Sequence, residues 1–162
     1  MLRIFNRALL AATALCACTF SYAQDGLMIS EAKVRQFLPA ASSSVGYFTL
    51  ENNSERERTL KAVELESLGR VEIHTHEHSD GMMKMRKLDS LTIGANSRIV
   101  LQPGGLHLML FSPQQALSVD QTLKMTLIFA DGERVNGQAR VFSLIEKEQK
   151  RDSGSEHQHH HN

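Results

Sequence analysis

Eight histidines and seven methionines, against two cysteines and no tryptophan, make an unusual inventory of metal-capable side chains. They are clustered rather than scattered. His74, His76 and His78 alternate along one segment, with Met82, Met83 and Met85 just after it. His107 and Met109 alternate along another, and His157, His159, His160 and His161 crowd the C-terminus. Imidazole nitrogen is a borderline donor and thioether sulfur a soft, neutral one. A mixed His and Met set therefore selects Cu(I), whereas zinc prefers imidazole, thiolate or carboxylate. Thioether also avoids the disulfide formation that would consume a thiolate pair in an oxidising compartment, although sulfoxidation remains its hazard.

Strand alternation turns these spacings into faces. In Leu106-His107-Leu108-Met109-Leu110-Phe111 the three leucines are expected in a core, with His107 and Met109 projecting together on the other side. Residues i and i+2 lie about 7 Å apart along a strand, so both side chains can lean onto one ion. The same rule sets His74, His76 and His78 on one face, opposite Val71, Ile73 and Thr75. Met83 or Met85, after the turn signal Ser79-Asp80-Gly81, offers a further donor; Met82 and Met83 also suit an apolar rim around the ion. His76, His78 and Met83 are auxiliary metal candidates, though exposed polar alternation explains the two histidines equally well. Glu72 and Glu77 read as solvated, and Met125 as core.

Positioning such residues requires a rigid frame, and the sequence reads as β throughout. Turn signals recur at Asn52-Asn53-Ser54, Ser67-Leu68-Gly69, Gly94-Ala95-Asn96, Pro103-Gly104-Gly105, Ser112-Pro113 and Asp131-Gly132, with strand-length runs between them. Leu123, Met125, Leu127 and Phe129 form one apolar face of a strand. Asp131-Gly132 suits a tight hairpin, and the return strand Arg134 to Phe142 offers Val135, Ala139 and Val141 inward. Val45 to Glu51 and Leu60 to Leu65 read as further strands. No stretch before residue 142 holds a helical period, which points to an all-β sandwich or barrel.

The ends differ from this middle. Residues 1–23 combine Arg3 and Arg7, an apolar run from Ala8 to Phe20 and the triplet Ser21-Tyr22-Ala23, the pattern of a secretory signal peptide cleaved after Ala23. The apolar run is shorter than the roughly 20 residues a bilayer span needs, so no stable membrane insertion is expected after cleavage. Lipoprotein processing at Cys18 is the alternative. Cleavage after Ala23 removes Cys16 and Cys18, leaving no thiol for a disulfide, a zinc–thiolate site or a nucleophile. It also takes the basic count from 18 to 16 against 18 acidic residues. A near-neutral chain lacks the cationic excess that nucleic acid requires. Residues 24–145 form the expected β-sandwich domain. Residues 146–162, EKEQKRDSGSEHQHHHN, carry no apolar side chain and read as a disordered, His-rich tail, whose imidazoles suit Cu(II).

The spacing His74, ten residues, Met85, twenty-one residues, His107-Leu108-Met109 resembles the H-x10-M-x21-H-x-M motif of the PCuAC family of periplasmic copper chaperones. Val71-Glu72-Ile73-His74, Asp80-Gly81-Met82-Met83-Lys84-Met85-Arg86 and Pro103-Gly104-Gly105-Leu106-His107-Leu108-Met109-Leu110 are similar to that family too, and the likeness runs from about residue 27 to 142. It implies a cupredoxin-like, immunoglobulin-like β-sandwich that holds one Cu(I) through His74, Met85, His107 and Met109. It also implies a periplasmic, non-enzymatic chaperone supplying the copper A centre of cytochrome c oxidase, with subunit 2 or a Sco-type protein as acceptor; a monomer is the default. Copper buffering or resistance uses the same ligands and stands as the alternative. A blue-copper electron carrier needs a Cys thiolate that the mature chain lacks. A histidine-brace oxidase needs an N-terminal His where Gln24 is expected, and no Ser or Cys nucleophile motif accompanies the histidines.

Overall fold

Leu123, Met125, Leu127 and Phe129 are all at most 2% exposed, while Thr122 and Lys124 on the same strand face solvent. Val135, Ala139 and Val141 are equally buried on the return strand. The alternation read from the sequence is therefore the alternation that builds the core. The computed structural model describes residues 26–79 and 82–143, so the leader and tail assignments lie outside the described residues.

Every regular element described is a strand: β1 (Leu27–Arg35), β2 (Ser43–Asn52), β3 (Arg58–Leu65), β4 (Leu68–Ser79), β5 (Met82–Leu88), β6 (Leu91–Ile93), β7 (Ser97–Leu101), β8 (His107–Pro113), β9 (Thr122–Phe129) and β10 (Arg134–Phe142). They hydrogen-bond in the order β5-β4-β8-β2-β1-β10-β9-β3-β6, with β7 beside β2. The path does not close into a barrel, and the fold is an all-β, cupredoxin-like sandwich. All pairings are antiparallel except β1 with β10.

The strands that join the layers change partners along their length. Ser43–Gly46 of β2 pair with β8, and Phe48–Asn52 pair with β7. On β1 the register with β2 shifts between Ser30 and Lys33, where Glu31 takes φ 54°. Such a bulge adds twist, and beyond it Lys33–Arg35 align with β10. The core then fills from both sides, with Leu60, Val63, Leu65 and the β9 and β10 residues meeting Phe48, Leu50, Ile73, Leu108 and Leu110.

Two features bear on the site. First, the turn Pro103-Gly104-Gly105 enters β8; Gly104 sits at φ 79° with open space around its missing side chain, and Gln102 N–H donates to Leu106 O at 2.7 Å. Second, Met82 to Lys87 of β5 are all exposed, on both faces of the strand. β5 is thus a sheet edge with neither of its faces covered along Met82 to Lys87.

Asn52 ends β2 fully buried. Its Nδ2 donates to the carbonyls of Arg56 (2.7 Å), Gly94 (2.8 Å) and Ile93 (3.3 Å), and its Oδ1 accepts from Ser54 N–H and Oγ. What reads in sequence as part of a turn signal is a buried pin tying the β2–β3 loop to the end of β6. Asn52→Ala leaves these groups without their partner and is expected to cost about 2–4 kcal/mol. Urea denaturation measures this, and a loss below about 0.5 kcal/mol, the range of an ordinary surface substitution, would contradict the assignment.

Candidate metal centre

The centre is built by register. β4 and β8 run antiparallel with His74 opposite His107 and Glu72 opposite Met109. β4 and β5 pair with His76 opposite Met85 and His74 opposite Lys87. Directly opposed residues share a face with Cβ atoms about 4.5–5.5 Å apart, and diagonal neighbours lie about 7–8 Å apart, within reach of long side chains. His74 is accordingly the hub: His107 is its direct partner, and Met109 and Met85 are its diagonals on either side. The four ligand candidates of the H-x10-M-x21-H-x-M pattern fall on one face of three adjacent strands.

The opposite face explains why this arrangement is stable. Ile73, Leu108 and Leu110, which alternate with the site residues, are buried in the core, and Leu106 packs partly against it. A one-residue slip of β4 against β8 would carry these aliphatics into the site face and the histidines into the core.

The two imidazoles are held in opposite senses. His107 is only 3% exposed, and its Nδ1–H donates to the Gly105 carbonyl at 2.9 Å. A carbonyl only accepts, so the lone pair of the neutral ring lies on Nε2. Burial pushes the His107 pKa below its ordinary value; the Gly105 hydrogen bond opposes that shift, and His76 and His74 add to it. The shift favours the neutral ring, whose Nε2 lone pair can donate. His74 Nε2–H donates to Glu72 Oε2 at 2.9 Å, leaving Nδ1, which is buried and has no hydrogen-bond partner. A carboxylate behind a ligating histidine fixes its tautomer and raises its basicity.

Glu72 corrects the sequence reading. It was expected to be solvated, but its side chain is 12% exposed and receives His74, Lys87 (3.3 Å) and Arg70 (3.1 Å). The hydrogen bond from His74, foremost, holds its carboxyl below the usual carboxylate range, with Lys87 and Arg70 contributing. Strand alternation carried the signal: Glu72 lies at i−2 from His74 and so shares its face. Glu77, by contrast, is exposed and paired with Arg86.

His76 is likewise more than exposed alternation. Its ring stacks on His107 with centroids 4.9 Å apart, closer than the 5.9 Å between His74 and His107, and its Nδ1 is buried without a hydrogen-bond partner. Met109 is half-buried, whereas Met82, Met83 and Met85 are 56–60% exposed. Met125 is 1% exposed in the core, as expected. Backbone register sets His78 opposite Met83. The tail histidines His157, His159, His160 and His161 lie outside the described residues.

Among the described residues no three His, Cys, Asp or Glu side chains are grouped to hold a metal ion. The thioethers of Met85 and Met109 lie at the diagonals of His74, and a mixed imidazole and thioether donor set favours a soft cation.

Comparison with solved structures agrees with the fold. The copper-bound PCuAC domain from PmoF2 superposes with a TM-score of 0.61 at 23% identity, covering 75% of this chain and 97% of that one. The apo solution structure of DR1885 from Deinococcus radiodurans gives 0.59 at 28% identity over 90% of this chain and 98% of that one. Its CuI form gives 0.59 at 32% identity, covering 70% and 76%. Among curated sequences, the uncharacterised protein RP573 of Rickettsia prowazekii (strain Madrid E) is 30% identical over 118 residues, or 66% of this chain, and the chain spans 65% of that relative's length. Residues 27–141, nearly all of those described, match the family described as "Putative lipoprotein LpqE-like", and the chain belongs to that family.

Proposed function

We propose that the protein is an extracytoplasmic copper chaperone that carries Cu(I) on His74, Met85, His107 and Met109. The observation that carries this reading is the His74–His107 rung. Two imidazoles there each have one nitrogen tied by a hydrogen bond and the other free to donate, with methionines at both diagonals. The CuI-loaded form of DR1885, a structural relative at 32% identity, supports the choice of ion. Copper is cargo here. Neutral donors of graded exposure release a soft ion to a competing ligand set one bond at a time, which suits transfer without free release. The acceptor we propose is the copper A centre of cytochrome c oxidase, through subunit 2 or a Sco-type protein.

The leader supports export to the periplasm, with cleavage after Ala23. The family's description as lipoproteins makes processing at Cys18 the competing route. Mass spectrometry of the exported N-terminus separates Gln24 from a lipidated Cys18. The tail imidazoles His157, His159, His160 and His161 supply a second, nitrogen-rich site for Cu(II).

Three outcomes follow from this assignment. Met109→Leu keeps size and apolarity but removes the sulfur, and is expected to lower Cu(I) affinity at least about tenfold in chelator competition, with unfolding unchanged; unchanged affinity would sink the site. Glu72→Gln should weaken Cu(I) binding by about 10–100-fold, the usual effect of losing the carboxylate behind a ligating histidine; wild-type affinity would show that Glu72 does not orient His74. Removing residues 157–162 should abolish weak Cu(II) binding, followed by electron paramagnetic resonance, and leave Cu(I) affinity intact. Loss of both together would refute two separate sites.

A further inference from the structure

The holding set leaves one well-placed donor unused. His76 lies directly opposite Met85 on the edge strand β5, stacks on the His107 ring at 4.9 Å, and keeps a buried Nδ1 with no hydrogen-bond partner. An unpartnered buried nitrogen is costly and calls for an explanation. Among the described residues no three His, Cys, Asp or Glu side chains are grouped to hold an ion. The direct cross-strand partner of His76 is a thioether.

Exposure orders these donors in space. His107 is 3% exposed, the His74 side chain 15%, and Met85 56%. His107 and Met109 lie on β8, inside the sheet; His76 lies on β4 one register step toward the hairpin end; Met85 lies on the edge strand, which hydrogen-bonds to β4 alone among the described strands. By register the way from buried His107 to exposed Met85 crosses β4 between His74 and His76, and of these two rings His76 lies closer to His107.

We propose that His76 and Met85 form an outer imidazole–thioether pair, the station through which Cu(I) leaves the inner donors His107, His74 and Met109 for an acceptor at the β5 edge. This deepens the chaperone reading and rests on it. Each step is a ligand exchange: a bond from copper to His76 Nδ1 forms as the bond to His107 breaks, and soft donors of the acceptor replace Met109 and His74, with Met85 bound throughout these steps. Copper remains Cu(I) and no electron moves. The acceptor's own soft donor then displaces His76, and lastly Met85.

The test compares His76→Leu with His76→Met, which are similar in size and differ in the donor sulfur. Cu(I)-loaded full-length mature protein is mixed with excess bathocuproine disulfonate in a stopped-flow instrument, and the equilibrium Cu(I) affinity of each variant is measured alongside. His76→Leu is expected to slow copper capture about tenfold while affinity stays within about threefold, and His76→Met to restore the rate to within about threefold, since a soft donor again bridges the path. The outer pair is overturned if His76→Leu releases copper at the wild-type rate, if Leu and Met are equally slow, or if His76→Leu loses more than about tenfold in affinity, which would put His76 in the holding set. These outcomes are independent of the Met109→Leu result, so failure of the outer pair and failure of the copper site itself are told apart.

Discussion

The antiparallel register of β4 against β8 is the constraint on which the centre depends. It sets Ile73 opposite Leu108 and His74 opposite His107 in successive rungs. The first rung is buried in the core and the second faces the site. Because side chains alternate with period two, the energy that fixes the register comes from the aliphatic face, and the metal face inherits its geometry. Burying each large aliphatic side chain contributes roughly 1.5–3 kcal/mol, so slipping Ile73, Leu108 and Leu110 out together is prohibitive for a domain of ordinary marginal stability. The candidate ligands are thus held in place by the aliphatic face behind them and not by packing against each other.

On that frame, the second nitrogen of each imidazole does the orienting. Gly105 O behind His107 and Glu72 behind His74 act through different chemistry, one a backbone carbonyl and one a carboxylate. The carbonyl is fixed by the Pro103-Gly104-Gly105 turn, where Gly104 supplies the left-handed conformation. The carboxylate is kept ionised by His74, Lys87 and Arg70. The rings thereby present opposite nitrogens, Nε2 from His107 and Nδ1 from His74.

In the carrier we propose, exposure separates holding from release. A carrier needs donors firm enough to keep a soft ion from solution and loose enough to yield it. In the proposed carrier the buried His107 and the carboxylate-backed His74 would supply the first property, and the exposed Met85 on the uncovered edge of the sandwich would supply the second. Edge strands carry the risk of unwanted pairing, and charged side chains are a common defence; Lys84, Arg86 and Lys87 on β5 fit that role. The same strand thus keeps its methionines accessible while discouraging strand addition.

The sequence alone determined the all-β character, the apolar faces of β9 and β10, the common face of His107 and Met109, and the His and Met pattern by which the ligand candidates were read. Each of these depends on local period or residue chemistry, and period two is visible within a single strand. Only the tertiary structure decided that Glu72 is enclosed rather than solvated, that His76 stacks on His107, that Asn52 is a buried pin, and that β1 pairs in parallel with β10. These are relations between strands far apart in the chain. A residue's own spacing gives the face it occupies, but what stands opposite it depends on cross-strand register, and that is fixed only when the whole core closes.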